Sequence, residues 1–284
     1  MKTTYFLLLL LFTIPALASE NTLFTPIIKL HDYDRDKAEL GKDLFFETRI
    51  SKARNSCNTC HNLRPNLTGT SEDLSRGINP PTLLNASLNY LFGSEGKIKL
   101  LEEQIKKCLT VSPRFNSSID FIENQIRKIP RYKKEFRRIY GKSANIESVS
   151  NALTHFIRAL KTPSRFDDYL LGNTDALSNR EKIGFRLFIR EGCAACHNGI
   201  NLGGNMTYTF VRDGEVLTRK VPTIRNITRT APYYYDGRVK DVKEAIEGLD
   251  IVFTKTRLNT SEMGMMLDFF YALEGQVPEI LNER

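Results

Sequence analysis

The chain repeats itself, and the repeat constrains its fold more than any single segment does. Gly41-Lys42-Asp43-Leu44-Phe45-Phe46 precedes Cys57-Asn58-Thr59-Cys60-His61, and Gly184-Phe185-Arg186-Leu187-Phe188-Ile189 precedes Cys193-Ala194-Ala195-Cys196-His197. Further on, Pro81-Thr82-Leu83-Leu84-Asn85 answers Pro222-Thr223-Ile224-Arg225-Asn226. Glu95-Gly96-Lys97-Ile98-Lys99 answers Asp236-Gly237-Arg238-Val239-Lys240, with Glu103 and Ile105 matching Glu244 and Ile246. Ordered blocks of this kind point to one small domain duplicated in tandem, with one Cys-x-x-Cys-His in each copy.

Cys-x-x-Cys-His is the covalent attachment signal for c-type haem. Two intervening residues let both thiols reach one edge of a porphyrin, and the next residue turns beneath the iron as its fifth ligand. Cys57, Cys60 and His61 would hold one haem; Cys193, Cys196 and His197 would hold a second. Pooling the four cysteines into a zinc site leaves both histidines without a role. A redox disulfide would need a thioredoxin-like βαβ context, which the sequence lacks.

The N-terminus reads as a secretory signal peptide, residues 1–18. Lys2 supplies the positive region, Tyr5 to Phe12 the apolar one, and Ala16-Leu17-Ala18 the cleavage site. The alternative is an uncleaved anchor. No other stretch approaches membrane-spanning length. Haem is attached to this motif outside the cytoplasmic membrane, so export and motif agree on the periplasm. The formal net charge of +8 suits an acidic partner surface or a merely soluble basic protein, and nucleic acid fits poorly with an exported haem protein.

Helical periodicity covers residues 34–46, 98–108, 118–129, 132–140 and 146–160, and returns after Ser178, where Ser178 and Glu181 form a capping box. Residues 241–249 and 261–274 close the chain as helices, with Met263, Met265 and Met266 in the core. Residues 62–81 read as loop and 201–221 as a loop or short hairpin. The expected fold is all-α: two tandem cytochrome c-like domains over residues 19–165 and 166–284. Pro163, Gly172 and Asn173 mark the linker between them.

Function turns on each iron's sixth position: a second protein ligand makes an electron-transfer centre, and an open position admits a small molecule such as peroxide. Of the 4 histidines, His155 reads as a packed or surface helix residue and His31 as a weak ligand candidate. Met206, in the Gly-rich loop after the second motif, is a candidate axial ligand or a gap-filling methionine. Cys108 is the one cysteine of 5 outside the motifs.

The motif order resembles the bacterial dihaem cytochrome c peroxidase family, which includes MauG-type enzymes that oxidise a partner protein. Besides the blocks above, Ser164-Arg165-Phe166-Asp167 and Thr230-Ala231-Pro232-Tyr233 carry the likeness, which spans roughly residues 35 to 278. The resemblance implies a peroxide site at the first haem and electron entry at the second, from a small cytochrome c or cupredoxin. It also implies Ca²⁺ between the domains, held by the Asn79 side chain and the carbonyls of Thr230 and Pro232; without it Asn79 reads as a turn residue. A homodimer is a further expectation.

The sequence departs from that family in four places. The loop over residues 62–80 has no His for the resting iron. Arg114 stands where peroxidases of the family place an acid–base Glu; it would stabilise a departing hydroxide electrostatically or sit solvated at the surface. The chain has 0 Trp, and Ser94 falls near the position of the inter-haem Trp. Leu249 takes the place of the second haem's axial Met. Gln104 is kept at a position the family uses near the peroxide pocket, so Gln104 and Arg114 are the candidate catalytic residues. Cys108 is the first-half equivalent of Leu249; a buried inert thiol is the expectation and a thiolate ligand the alternative. Tyr233, Tyr234 and Tyr235 would pack on the second porphyrin, relay a hole, or supply a phenolate. Reduction of hydrogen peroxide by a periplasmic dihaem enzyme is the leading functional reading. A MauG-like oxidation of a partner protein and a non-enzymatic electron carrier or sensor are the alternatives.

Overall fold

A computed structural model describes residues 23–28, 32–63, 79–112, 115–253 and 258–282. The signal-peptide reading, His31, Arg114 and most of the 62–80 loop lie outside the described residues. The helices, in chain order, are α1 (Arg35–Phe46), α2 (Cys57–Cys60), α3 (Leu101–Thr110), α4 (Ile119–Lys128), α5 (Pro130–Tyr140), α6 (Ile146–Arg158), α7 (Arg165–Leu170), α8 (Asn179–Arg190), α9 (Val242–Phe253), α10 (Thr260–Ala272) and α11 (Glu279–Asn282). One antiparallel hairpin, β1 (Thr207–Arg212) with β2 (Glu215–Lys220), interrupts them, in register Thr207 to Lys220 and Arg212 to Glu215. Among the described residues no helix is long and apolar enough to cross a membrane.

Local chemistry explains where the helices begin. The Asp34 carboxylate accepts from Lys37 N at 3.0 Å and opens α1. Ser178 and Glu181 close the expected capping box on α8, and Asn145 with Ser148 and Asn259 with Glu262 do the same for α6 and α10. Leu40, Leu44 and Phe45 line the buried face of α1, and Met263 and Met266 are buried on α10.

The repeat is visible in the packing. Gly41 lets α1 press onto α6: a Cβ there would lie 2.1 Å from the Ala152 carbonyl oxygen and 2.9 Å from Phe156 Cβ. Gly184 does the same between α8 and α10, where a Cβ would lie 1.9 Å from the Met265 carbonyl oxygen and 2.9 Å from Phe269 Cβ. Beside each glycine an aromatic pair repeats, Phe45 on Phe156 at 5.2 Å and 55°, Phe188 on Phe269 at 5.5 Å and 53°. Each crossing centres its own apolar core, one around Leu44, Phe45, Phe136 and Phe156, the other around Phe166, Phe185, Phe188 and Phe269. The chain ends cross over: Phe24 packs in the second core and Ile280 in the first.

The two copies meet at a pair of left-handed asparagines. Asn85 and Asn226 both have φ of 59°, both are buried, and each starts a 3₁₀ turn. Their Nδ2 groups donate to one acceptor, Thr162 Oγ1, at 2.7 and 2.8 Å. Thr162 N returns a bond to Asn85 Oδ1 at 2.7 Å, and Gly275 N to Asn226 Oδ1 at 2.9 Å. The stretch expected as a linker is therefore anchored rather than loose: Thr162 is buried in this seam, and α7 follows with Phe166 and Asp167 buried.

Candidate functional site

Both Cys-x-x-Cys-His segments close a single turn, by different local routes. The first is a short α-helix opened by the Ser56–Thr59 capping box; the second is a 3₁₀ turn, Cys193–Ala195, entered through Gly192 at φ 79°. In each, the histidine N–H donates to the carbonyl of the first cysteine at 2.9 Å, His61 to Cys57 and His197 to Cys193. That one bond sets both thiols and the imidazole on a single turn. None of the five cysteines is in a disulfide, so neither motif has closed on itself.

The imidazoles are held from behind. His61 Nδ1 lies 3.0 Å from the Pro81 carbonyl and His197 Nδ1 3.3 Å from the Leu202 carbonyl. The Pro222 carbonyl, the repeat counterpart of Pro81, also favours the protonated ring of His197. A carbonyl at Nδ1 fixes the N–H there and leaves Nε2 as the free lone pair, the tautomer a metal ligand needs. Burial lowers the His197 pKa against the opposing pull of those carbonyls, which favours the neutral ring. Two thiols and one such imidazole per turn fit the donor set of a covalently held haem in each half.

Around the first motif, Gln104 and Cys108 lie one turn apart on α3. Gln104 Nε2 donates to Cys108 Sγ at 3.1 Å, while Gln104 Oε1 is buried with no hydrogen-bond partner among the described residues. Cys108 is exposed, which corrects the expectation of a buried inert thiol. Leu101, Ile105 and Leu109 hold α3 to the first core, and Cys108, seven residues after Leu101 and three after Ile105, stands at the solvent edge of that stripe. Arg114, the other catalytic candidate, lies outside the described residues.

Around the second motif, Met206 is 37% exposed at the foot of β1, and Leu249 is 42% exposed on α9. Tyr233 and Tyr234 donate their hydroxyls to the carbonyls of Ile227 and Ala245, both at 2.8 Å, and so brace the loop between the 3₁₀ turn and α9. Tyr235 accepts from Arg212 Nη1 at 2.7 Å, and the guanidinium groups of Arg212 and Arg219 lie 5.4 and 5.0 Å from its ring centre. His155 is a packed helix residue, as expected: its Nδ1 accepts from Asp34 N at 2.9 Å.

Sequence reading overlooked the pair Arg225 and Asp167. Both are about 99% buried and join in a two-pronged bridge at 2.9 and 2.8 Å. Arg225 Nε also donates to the Ile200 carbonyl at 2.8 Å, just past His197, and Asp167 accepts from Ile27 N and from Ser164. The pair ties the loop behind the second histidine to α7. A charged residue of each sign inside two matched blocks was the available signal.

Of the calcium candidates, Asn79 and Pro232 come together across the halves. The Asn79 amide donates through Nδ2 to the carbonyls of Pro232 and Tyr234 at 2.7 and 2.9 Å, and Asn79 N donates to Tyr235 O at 2.8 Å. A calcium ion would need the amide oxygen turned toward those carbonyls. As oriented, the NH₂ bridges them itself; turned over, the amide would instead bring its oxygen beside the same two carbonyls. Thr230 donates to the Ile227 carbonyl through its hydroxyl at 3.3 Å.

Known proteins resemble this chain in sequence and in fold. The sequence profile of the di-haem cytochrome c peroxidase family matches residues 35–175. Cytochrome c551 peroxidase of Nitrosomonas europaea is 30% identical over 95% of this chain and 89% of its own, and that of Pseudomonas aeruginosa 30% identical over 92% and 86%. Methylamine utilization protein MauG of Methylorubrum extorquens is 29% identical over 78% of this chain and 70% of its own. In fold, the chain superposes on a MauG-like protein associated with microbial copper homeostasis with a TM-score of 0.72 at 19% identity, covering 93% of this chain and 95% of that one. With two matched haem motifs and near full-length likeness at this level, the chain belongs to the dihaem cytochrome c peroxidase and MauG family.

Proposed function

We propose that this protein is a periplasmic dihaem c-type cytochrome that reduces hydrogen peroxide to water with electrons from a small redox protein. The observation that carries the reading is the matched pair of motif turns, each with two thiols outside any disulfide and an imidazole whose Nδ1 faces a carbonyl. Two relatives that match nearly the whole chain are named as peroxidases of cytochrome c551.

Cys57 and Cys60, and Cys193 and Cys196, would each form two thioethers to haem, with His61 and His197 as proximal ligands. The bound haems would supply the iron that takes up peroxide in the first half and passes single electrons inward from the second. The overall balance is H₂O₂ with two protons and two electrons giving two waters. The Pro81 and Leu202 carbonyls make the imidazoles of His61 and His197 stronger donors by accepting from Nδ1–H. Gln104 places a buried, unpartnered carbonyl oxygen beside the first motif, where a bound hydroxyl group would find an acceptor. A basic chain, net +8, suits an acidic electron donor.

A second reading, oxidation of a partner protein, is favoured by the hairpin. Val211 and Val216 pair across its strands just behind the charged turn Arg212-Asp213-Gly214-Glu215 and are 70% and 71% exposed, a small apolar spot that a partner surface could cover. Stopped-flow mixing of the reduced holoprotein with hydrogen peroxide and excess reduced cytochrome c tests the first reading. Continuous oxidation of the cytochrome is the expected result. Reaction at the haems without turnover of the donor would favour the second, and bleaching alone would leave only electron transfer or sensing.

A further inference from the structure

We infer that the outward row of α5 docks this protein on an anionic phospholipid surface. The inference goes beyond the reaction proposed above and needs neither haem.

Positive charge is concentrated on α5 and its flanks. Residues 127–142 carry eight Lys and Arg side chains against one acid, Glu135, in a chain whose net charge is +8. Three of the eight are matched within the fold. Arg127 bridges Glu123 at 2.5 Å, Arg131 bridges Asp43 on α1, and Arg138 bridges Asp36 on α1 and its own neighbour Glu135 at 2.8 and 2.9 Å. The other five, Lys128, Lys133, Lys134, Arg137 and Lys142, are exposed and pair with no acid among the described residues.

The helix sorts these charges by face. Tyr132 and Phe136 are its buried residues. At about 100° per residue, Arg131, Glu135 and Arg138 fall on one flank of that face, the flank that α1 neutralises. Lys133, Arg137 and Lys134 run from the opposite flank round to the outer side. Lys133 and Arg137 stand one turn apart with no acid between them, a like-charge spacing that destabilises a helix. The helix dipole accounts for Arg137 in the last turn. It opposes Lys133, which closes a first turn that has no acid. The fold therefore keeps a repulsion that an external anion would relieve.

Composition favours lipid over protein as that anion. The centres of protein interfaces are rich in aromatic and Arg anchors and poor in Lys. Four of the five unmatched cations are Lys, and none of the exposed large apolar side chains of the described residues falls within 127–142. Compact ammonium groups on flexible stems suit a fluid layer of phosphate headgroups. A cluster of this size, with no apolar anchor, is held by charge and releases in salt. An exported chain would meet such a surface on the periplasmic face of the cytoplasmic membrane.

The test is sedimentation of the purified holoprotein with vesicles of equal parts phosphatidylglycerol and phosphatidylcholine, and with phosphatidylcholine alone. Wild type should bind the first, not the second, and come off in about 0.5 M salt. Lys133→Gln, Lys134→Gln and Arg137→Gln combined should weaken binding about a hundredfold, since each cation near such a surface contributes about fivefold. Lys99→Gln, Arg186→Gln and Lys240→Gln combined remove the same charge from exposed positions elsewhere and should cost far less. Both triple variants should melt with wild type, because the altered side chains are exposed. Binding to phosphatidylcholine alone, or equal losses in the two triple variants, would overturn the inference. So would an α5 triple variant that keeps its vesicle binding and instead raises the KM for reduced cytochrome c, which would assign the row to an acidic donor. Vesicle binding is read without peroxide, so failure here leaves the proposed reaction standing.

Discussion

The two halves keep the same frame and differ where charge or a donor atom enters. Gly41 and Gly184, Phe45 and Phe188, and Asn85 and Asn226 do the same structural work at equivalent places. One residue before each asparagine the halves diverge: Leu84 is buried in the first core, Arg225 is buried and paired with Asp167 in the second. On α3 and α9 the contrast is Cys108 against Leu249. A duplicated domain can change a single side chain on a fixed backbone, so the divergent positions mark where each half took up its own task.

The sharpest way to break the comparison is to remove Asp167. Asp167→Ala leaves the Arg225 guanidinium buried with the Ile200 carbonyl as its remaining partner, and losing one member of a buried pair costs about 3–5 kcal/mol. Thermal unfolding followed by circular dichroism should show the loss. Arg225→Leu restores the chemistry of the first half and should cost less, because Asp167 keeps the donors Ile27 N, Ser164 N and Ser164 Oγ. An Arg225→Leu variant less stable than Asp167→Ala would reject this ordering.

The glycine pair sharpens the same comparison. Gly41→Ala and Gly184→Ala each drive a methyl group into a carbonyl oxygen at 2.1 and 1.9 Å, so the helices must part. Overpacking of this kind costs about 1–3 kcal/mol. Equivalent crossings predict equal losses in the two variants, read from denaturant midpoints at unchanged slope. A large loss in one and none in the other would mean the two crossings are not structural equivalents.

What could be read from the chain follows the range of the interactions. Capping boxes such as Ser178 with Glu181 are local, and the helix starts they mark are where expected. The repeat brought the equivalent loops and both motif turns into view, since order along a duplicated chain is itself information. Anything needing a distant partner was hidden. Residues 162–175 read as a linker because Pro163, Gly172 and Asn173 are breakers. The contacts that anchor them, from Asn85, Asn226, Arg225 and Ile27, come from far along the chain. Cys108 illustrates a second limit: helical spacing puts it beside Leu101 and Ile105, but does not say that the fold leaves it exposed.

Acid should separate the halves through Glu47, which closes the C-terminal end of α1. Its carboxylate accepts from Arg49 Nε at 2.8 Å and Nη2 at 2.6 Å, and from Tyr132 Oη at 3.1 Å. The Arg49 bonds, against the opposing effect of burial, lower its pKa from 4.5 to about 2. A folded pKa below the unfolded one adds stability that is full above pH 4.5 and fades as pH falls toward about 2. Glu47→Gln should therefore be less stable than wild type at neutral pH, with the gap closing across that window in acid unfolding curves. A gap that persists below it would assign the effect to shape rather than charge.

The smallest effect expected is at Asn79, the brace across the halves. Its NH₂ supplies the positive end that the Pro232 and Tyr234 carbonyls need, at 2.7 and 2.9 Å. Adding Ca²⁺ or a chelator should then leave the melting temperature of wild type unchanged. Asn79→Asp replaces that donor with a carboxylate, which faces the two carbonyls with like charge unless a cation sits between them. This variant should be slightly less stable than wild type in chelator and should regain the loss with Ca²⁺, a dependence the parent lacks. A wild type that already loses stability in chelator would mean that the amide turns its oxygen inward and that an ion, not the NH₂, joins the halves.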